Sequence, residues 1–521
     1  MPEKFLKGIA PRDYQKNILK TCVEKNCLVV LPTGLGKTLI ALMLTIKRME
    51  KFPGERVVLL APTKPLAEQH ITSFKKHLPE LFADMQLFTG AVVASQRKKI
   101  WQTADIIFST PQCVANDLKN KLYDLQNVCL LIEDEAHRCI KNYDYNYVAQ
   151  MYKKQSQHPR IMGLTASPGS ETSKIKEICW NLSIEEVELR TRESEDVKQY
   201  LQELKFEKVM VDFLPELEEI RHVLKELFNR YVTELRTRKV LFGPCSKTGL
   251  ILLQKKIMAT LARGNKNFNY MLGASACAQA IKLQHALELL ETQTLASFNK
   301  YLKKLFEQAA KKQSKGVVKL VAKPEFNFIY MTSNELLSKN IEHPKLEKLV
   351  EIVKQENLKN KKIKLIVFTQ FRDTATTVSK KLNELENINA KIFVGQAKIS
   401  SKEGESTGLS QKQQKKIIKE FSSGEINCLV STSIGEEGLD IPEVNAVIFY
   451  EPIPSAIRAI QRAGRTARLM KGKLIILITK GTRDETSYYV SRSREKKMHK
   501  SIDSIKQGLI NNKIDFQKSL E

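Results

Sequence analysis

Up to about residue 200, short apolar runs alternate with longer stretches in which apolar positions return every three or four residues. The runs fall at 27–31, 57–60, 105–109, 128–132 and 160–164. Alternation of this kind predicts parallel strands joined by crossover helices, hence a parallel sheet covered on both faces. The same texture returns after about residue 340, with runs at 364–368, 391–394, 427–430, 446–450 and 473–478. The expected fold is therefore α/β, with two parallel-sheet domains.

The stretch between them reads differently. Leu217, Ile220, Val223, Leu224, Leu227, Phe228, Tyr231 and Leu235 recur at helical spacing, as do Leu287, Leu290, Phe298, Tyr301, Leu302, Leu305 and Phe306. This predicts a mostly helical insertion whose stripe aromatics belong to its core. The expected boundaries are a first α/β domain over 1–204, the insertion over 205–335, a second α/β domain over 336–485 and a helical tail over 486–521. A polar, glycine-rich loop is expected at 401–408.

Chemistry enters at two of the strand ends. The run at 27–31 leads into Leu31-Pro-Thr-Gly-Leu-Gly-Lys-Thr38, and a helix opens near Lys37. Thr33, Gly34 and Gly36 form a phosphate-binding loop in which the glycines let backbone N–H groups turn around phosphate oxygens at the positive end of the helix. Lys37 would reach the β- and γ-phosphates, and the Thr38 hydroxyl would ligate Mg²⁺. The run at 128–132 delivers Asp134-Glu-Ala-His137 to the carboxyl end of the same sheet, where ligands of open α/β folds sit. Asp134 would hold the metal, and Glu135 would orient and deprotonate the attacking water. Either signal alone is ambiguous; together, in this order, they predict a nucleoside-triphosphate hydrolase.

Composition narrows the class. The 521 residues are 42% hydrophobic and 27% charged, as in a soluble globular protein. No run approaches a membrane span, and the N-terminus lacks the apolar stretch of a secretory signal. The nine cysteines form no Cys-x-x-Cys pair and read as reduced, buried side chains of an intracellular protein. A cytoplasmic location is expected, nucleoid-associated, or nuclear in a eukaryote. Lys and Arg total 85 against 58 acids, a net charge of +27, which points to a polyanionic partner such as nucleic acid. The insertion is basic around Arg236, Arg238 and Lys239 and again from Lys303 to Lys319. Such runs suit a solvated face as well as a grip on a phosphate backbone; in a basic nucleotide-driven protein the grip is the favoured reading.

The second α/β unit has no phosphate loop. It does carry Gln461-Arg-Ala-Gly-Arg-Thr-Ala-Arg468, whose arginines at three-residue spacing share a helix face. Guanidinium forks suit phosphate oxygens, so some of Arg462, Arg465 and Arg468 can act on the γ-phosphate from across a cleft; taken by itself, the run reads rather as an exposed basic helix touching nucleic acid or nothing.

With these residues in place, the chain resembles the superfamily-two helicases and translocases, whose two motor domains are RecA-like. Arg12 and Gln15 in Pro11-Arg-Asp-Tyr-Gln15 resemble the adenine-recognition element. Pro62, Thr63 and Lys64, with Thr89, Gly90, Thr110 and Pro111, resemble the strand contacts of the first domain. His137, with Thr165 and Ser167 of Thr165-Ala-Ser-Pro168, resembles the segment coupling hydrolysis to domain movement. Gln370, Arg372 and Thr432 resemble the nucleic-acid contacts of the second domain, and Gly438 and Asp440 its ribose and cleft contacts; Gln461 joins the arginines at the catalytic cleft. Gly408-Leu-Ser-Gln-Lys-Gln, Gly435-Glu-Glu-Gly-Leu-Asp-Ile-Pro and Tyr450-Glu-Pro-Ile-Pro-Ser are similar to the archaeal Hef and Fanconi anaemia M-type branch-point family.

The resemblance implies ATP- and Mg²⁺-dependent remodelling of forked and junction DNA in repair and fork restart, with 3′ to 5′ movement. Ala467 stands where the family pattern has Gly, a change of one methyl. Archaeal Hef often continues into a nuclease with a Glu-Arg-Lys metal motif; nothing here matches it, so no nuclease is expected in this chain, and a nuclease or repair partner would lie on another. Two alternatives remain: a double-stranded-RNA translocase of the RIG-I or Dicer type, and a nucleic-acid clamp that uses ATP as a latch.

Overall fold

The computed structural model describes residues 2–32, 34–169, 171–191, 194–200, 204–243, 245–264, 268–360, 362–395, 408–432, 444–452 and 472–510. Seven parallel strands make the first sheet: β1 (Cys27–Val30), β2 (Arg56–Leu60), β3 (Met85–Phe88), β4 (Ile106–Ser109), β5 (Val128–Asp134), β6 (Ile161–Thr165) and β7 (Glu186–Leu189), in the order β3-β4-β2-β5-β6-β1-β7. Among the described residues the second sheet has six: β8 (Leu204–Val211), β9 (Leu365–Thr369), β10 (Ala390–Phe393), β11 (Cys428–Thr432), β12 (Ala446–Phe449) and β13 (Gly472–Thr479), in the order β10-β11-β9-β12-β13-β8.

Successive side chains of a strand point to opposite faces, so a run buried throughout must have helices on both. That is the case here. Leu28 and Val30 pack into one core of the first unit, Val29 and Leu31 into the other. In the second unit Leu365 and Val367 divide from Ile366 and Phe368 in the same way.

Six helices, from Pro215–Thr237 to Pro324–Ser338, form a bundle between β8 and β9. Its core contains Leu217, Ile220, Leu224, Leu227, Tyr231 and Leu235 facing Leu287, Leu290, Phe298, Leu302 and Leu305, with Tyr301 and Phe306 packed against it. The stripe aromatics are core residues, as their spacing predicts.

Two boundaries differ from expectation. Residues from Leu204 form β8, which pairs with β13 along its whole length and so belongs to the second sheet rather than to the insertion. The tail is one helix, Arg483–Ile510, that starts within the expected second domain and ends on the first. Its Met498, Ile502 and Ile505 are buried in the core of the first unit beside Ile175, Ile178 and Val187.

The bundle is joined to the second unit by buried polar groups. Lys345 Nζ donates to Thr292 O at 2.6 Å and pairs with Asp484 Oδ2 at 2.7 Å. Asp484 also accepts from the Thr479 hydroxyl, Thr374 donates to Gln293, and Glu342 accepts from the Leu295 and Ala296 amides. Glu342 is thereby a remote cap for the helix Leu295–Ala310. Within the described residues no helix is long and apolar enough to cross a membrane.

Candidate functional site

The loop after β1 is shaped by glycine. Gly34 and Gly36 have φ of +89° and +79°, a backbone region that side chains strain to enter. Gly36 caps the helix Lys37–Lys51, directing its free N–H groups into the loop. Gln15 makes the loop rigid from behind: it is buried, and its Nε2 donates to Leu35 O at 3.0 Å, where the Tyr14 hydroxyl also donates at 2.7 Å. Arg12 lies over the Tyr200 ring at 5.2 Å, and its backbone amide donates to Gln15 Oε1 at 2.9 Å. Lys37 Nζ donates to Leu31 O at 2.8 Å, and Thr38 is half-buried on the first helical turn.

Across the sheet, the end of β5 presents Asp134. Burial alone would raise its pKa, but the charge and hydrogen bond of His70, with Lys37 nearby, hold the carboxyl below its ordinary value. His70 Nε2 donates to Asp134 Oδ2 at 2.8 Å, and the Tyr145 hydroxyl donates to the Asp134 carbonyl at 2.7 Å. The chain then turns through Glu135 at φ +55°, a left-handed conformation that for a carboxylate residue stores backbone strain.

The donors facing this region, a threonine hydroxyl and an ionised carboxylate, are hard oxygen ligands of the type Mg²⁺ prefers. The close backing of the loop by Gln15 requires glycine at position 36, where a Cβ would sit 2.3 Å from Gln15 Nε2. The residues present fit a nucleotide phosphate and its metal.

A bonded path leaves Glu135. Glu135 Oε2 lies 3.2 Å from His137 Nδ1, which is also 3.2 Å from Thr165 Oγ1. Thr165 donates to the Ser167 carbonyl and accepts from the Ser167 amide, both at 3.1 Å. Ser167 Oγ then donates to Met498 Sδ, 2.7 Å away on the tail helix. His137, Thr165 and Ser167 are thus brought together behind the β5 and β6 strand ends.

The strand order separates two sets of residues. The phosphate loop, Asp134 and Thr165 follow β1, β5 and β6, which are neighbours. Pro62 to Lys64, Thr89, Gly90, Thr110 and Pro111 follow β2, β3 and β4, which form the other half of the sheet. In the second unit Gln370, Arg372 and Thr432 follow adjacent β9 and β11. The Gln370 amide donates to Glu451, and Arg372 donates to Gly395 O at 3.3 Å. Thr63 and Thr432 hydroxyls are buried and make no hydrogen bond among the described residues. A buried hydroxyl without a partner is a costly feature that a ligand atom can relieve.

In the bundle, Arg236 and Lys239 are exposed, whereas Arg238 pairs with Glu234 at 2.9 Å and is partly occupied. Thr33, Gly438, Asp440, Gln461, Arg465 and Arg468 lie outside the described residues.

Three positions escaped the sequence reading: His70, Tyr145 and Met498. His70 sits two turns into the helix Lys64–His77, and Met498 lies far along the chain in a charged helix. Neither neighbourhood carries a local signal; only the packing brings each to its partner.

The residues and their order match three family models: DEAD/DEAH box helicase over residues 12–175, helicase conserved C-terminal domain over 344–470, and, over 216–333, the helical bundle of a provisionally named ATP-dependent RNA helicase. The solved helicase domain of Hef from Pyrococcus furiosus is 42% identical, with a TM-score of 0.71, covering 92% of this chain and 98% of that one. The chain belongs to the Hef-type superfamily-two helicases. A Methanocaldococcus jannaschii protein, provisionally named an ATP-dependent RNA helicase, is 37% identical over 96% of this chain. The ATP-dependent DNA helicase mph1 of Sclerotinia sclerotiorum is 32% identical over 95% of it. The chain spans 61% and 41% of the lengths of these two relatives.

Proposed function

We propose that this Hef-type chain is an ATP-driven DNA helicase or translocase that remodels forks and Holliday junctions in repair and fork restart, moving 3′ to 5′. The observation that carries the reading is the joint presence of two motor units and the intervening bundle, matched over nearly the whole Pyrococcus Hef helicase domain.

In this reading Lys37 and the loop amides hold the phosphates, and Arg12 and Gln15 hold the base. Thr38 and Asp134 ligate Mg²⁺, which when bound neutralises phosphate charge. Glu135 takes the proton of the attacking water. His70 and Tyr145 fix Asp134 from its side chain and its carbonyl. Arg465 and Arg468 neutralise charge on the γ-phosphate. His137, Thr165 and Ser167 pass the state of the site to the rest of the molecule. The residues after β2, β3 and β4, with Gln370, Arg372 and Thr432, track the DNA backbone, and Arg236, Arg238 and Lys239 of the bundle add a non-specific grip.

ATPase and strand-displacement assays on forked DNA, plain duplex DNA and double-stranded RNA test this. Stimulation by forked DNA above the other two is expected. Stimulation by double-stranded RNA alone would transfer the chain to the RNA reading, which the name of the Methanocaldococcus relative favours. Binding to forks with ATP, but wild-type behaviour in Glu135→Gln, would indicate a clamp that does not need hydrolysis.

A further inference from the structure

From Leu235 to Leu287 the chain contains no Asp or Glu and nine Lys and Arg. Within that stretch the helix Lys247–Ala262 buries only Leu250 and Ile257. Its outward face carries Leu252 and Met258, 61% and 55% exposed, beside exposed Lys255 and Lys256. Phe242 in the preceding loop is 79% exposed, and Phe268 and Met271 on the next helix are 70% and 54% exposed.

These residues gather at one end of the bundle. The helix Lys247–Ala262 packs against Phe268–Thr292, and a short connection joins the end of one to the start of the other. Val240, two residues before Phe242, lies 3.3 Å from the Cβ position of Gly273. The other end of Phe268–Thr292 is the one bonded to Lys345 at Thr292. A helix of 25 residues is about 37 Å long, so Phe268 at its start stands about that far along the axis from the Thr292 attachment.

Two phenylalanines and two methionines left in water forgo burial energy, and grouped together they mark a contact surface. The surrounding charge identifies the partner: a surface with basic side chains and no acid in its sequence suits a polyanion that also offers flat apolar faces. Unpaired nucleotides do both, with phosphates for Lys and Arg and base faces for aromatic rings.

We propose that this end of the bundle is a base-stacking cap for the unpaired nucleotides of a DNA branch. Phe242 and Phe268 stack on exposed bases, while Arg236, Lys239, Lys255 and Lys256 hold the flanking phosphates. This rests on the DNA-motor reading above and adds where and how the branch is held.

The test uses the full chain and a fork with 2-aminopurine in its unpaired arm next to the branch. Wild type is expected to quench the fluorophore by stacking. Phe242→Ala with Phe268→Ala is expected to lose the quench and to weaken fork binding tenfold or more, since each stacked base contributes about 1–3 kcal/mol. The slope of log affinity against log salt is expected to stay as in wild type, because no charge is removed. Lys255→Gln with Lys256→Gln gives the converse, a flatter slope with the quench retained.

An unchanged quench and affinity in the double phenylalanine variant overturn the proposal. So does displacement of the fork by phosphatidylglycerol vesicles, which would make this a membrane face. Should the variant lose its circular-dichroism signal, wild type is crosslinked to a fork carrying 5-iododeoxyuridine at the branch. Crosslinks to peptides with Phe242 or Phe268 uphold the cap, and crosslinks only elsewhere overturn it. Wild type that neither binds DNA nor is stimulated by it would instead remove the functional reading itself.

Discussion

Replacing Gly36 with Ala tests the architecture of the phosphate loop at a single carbon. The added Cβ would lie 2.3 Å from Gln15 Nε2, so the Gln15 amide must swing away. That amide is buried and donates to Leu35 O at 3.0 Å; losing a buried hydrogen bond costs about 1 kcal/mol. The backbone at φ +79° adds about 1–2 kcal/mol for a residue with a side chain. Together about 2–3 kcal/mol is withdrawn from the loop conformation, roughly a 30- to 150-fold shift at 1.36 kcal/mol per decade. Nucleotide affinity, read by fluorescence of a labelled ATP analogue, should fall by that factor. Gln15→Ala in the same background removes the clash and leaves the backbone strain, so the pair should be less than additive. Wild-type affinity in Gly36→Ala, or strict additivity with Gln15→Ala, would refute the mechanical role given to Gln15.

Four further outcomes are expected. Lys37→Ala should abolish tight nucleotide binding, whereas Glu135→Gln should keep binding and lose turnover by roughly two to four orders of magnitude; steady-state ATPase beside a binding titration separates them. The Lys345–Asp484 pair has side-chain exposures of 0% and 2%, so solvent does not screen it; Asp484→Asn should destabilise by about 3–5 kcal/mol in urea unfolding followed by hydrogen exchange at the bundle junction, and Lys345→Met with Asp484→Leu should recover most of the loss. Glu288 is raised by burial but brought down further by His285 and Lys247, to a pKa of about 2. Its folded-state pKa is depressed, so its contribution is present above an unfolded value near 4.5 and lost as pH falls from there toward 2; acid melting of wild type against Glu288→Gln checks this window. Neutralising Arg236, Arg238 and Lys239 should weaken fork binding and flatten its salt slope by up to about 0.9 per contact, with Arg238 contributing least because Glu234 already holds it.

The interior strands were legible because both faces of each are covered, which forces continuous apolar runs such as those of β2 and β5. The strands that went unread, β3, β7 and β8, are all sheet edges. Leu204-Lys-Phe-Glu-Lys-Val-Met-Val211 is exposed or half-exposed for most of its length and carries polar side chains, and Glu186-Val-Glu-Leu189 buries two glutamates that Lys25 and Arg190, distant or beyond the strand, neutralise; both look like loops until a neighbour is supplied. The site divides along the same line. Gly36, Lys37, Asp134 and Glu135 are local in sequence and announce themselves. His70 needs a helix rotation and a crossover to meet Asp134, and no spacing rule encodes that meeting.

The tail helix shows what such a long-range contact can carry. It begins beside Asp484, in the buried junction that joins the bundle to the second unit, and reaches the first unit at Met498. Met498 accepts from Ser167, and Ser167 is two bonded steps from His137 and three from Glu135. A helix is stiff along its axis, so its two ends cannot move independently over this distance. A change at Glu135 that shifts Thr165 and Ser167 must therefore either break the Ser167–Met498 contact or displace the helix together with its root at Asp484. The root holds Lys345, and Lys345 holds the bundle at Thr292. On the proposed reading, hydrolysis in the first unit and the pose of the bundle on DNA are two ends of one packed connection, parallel to the cleft rather than through it.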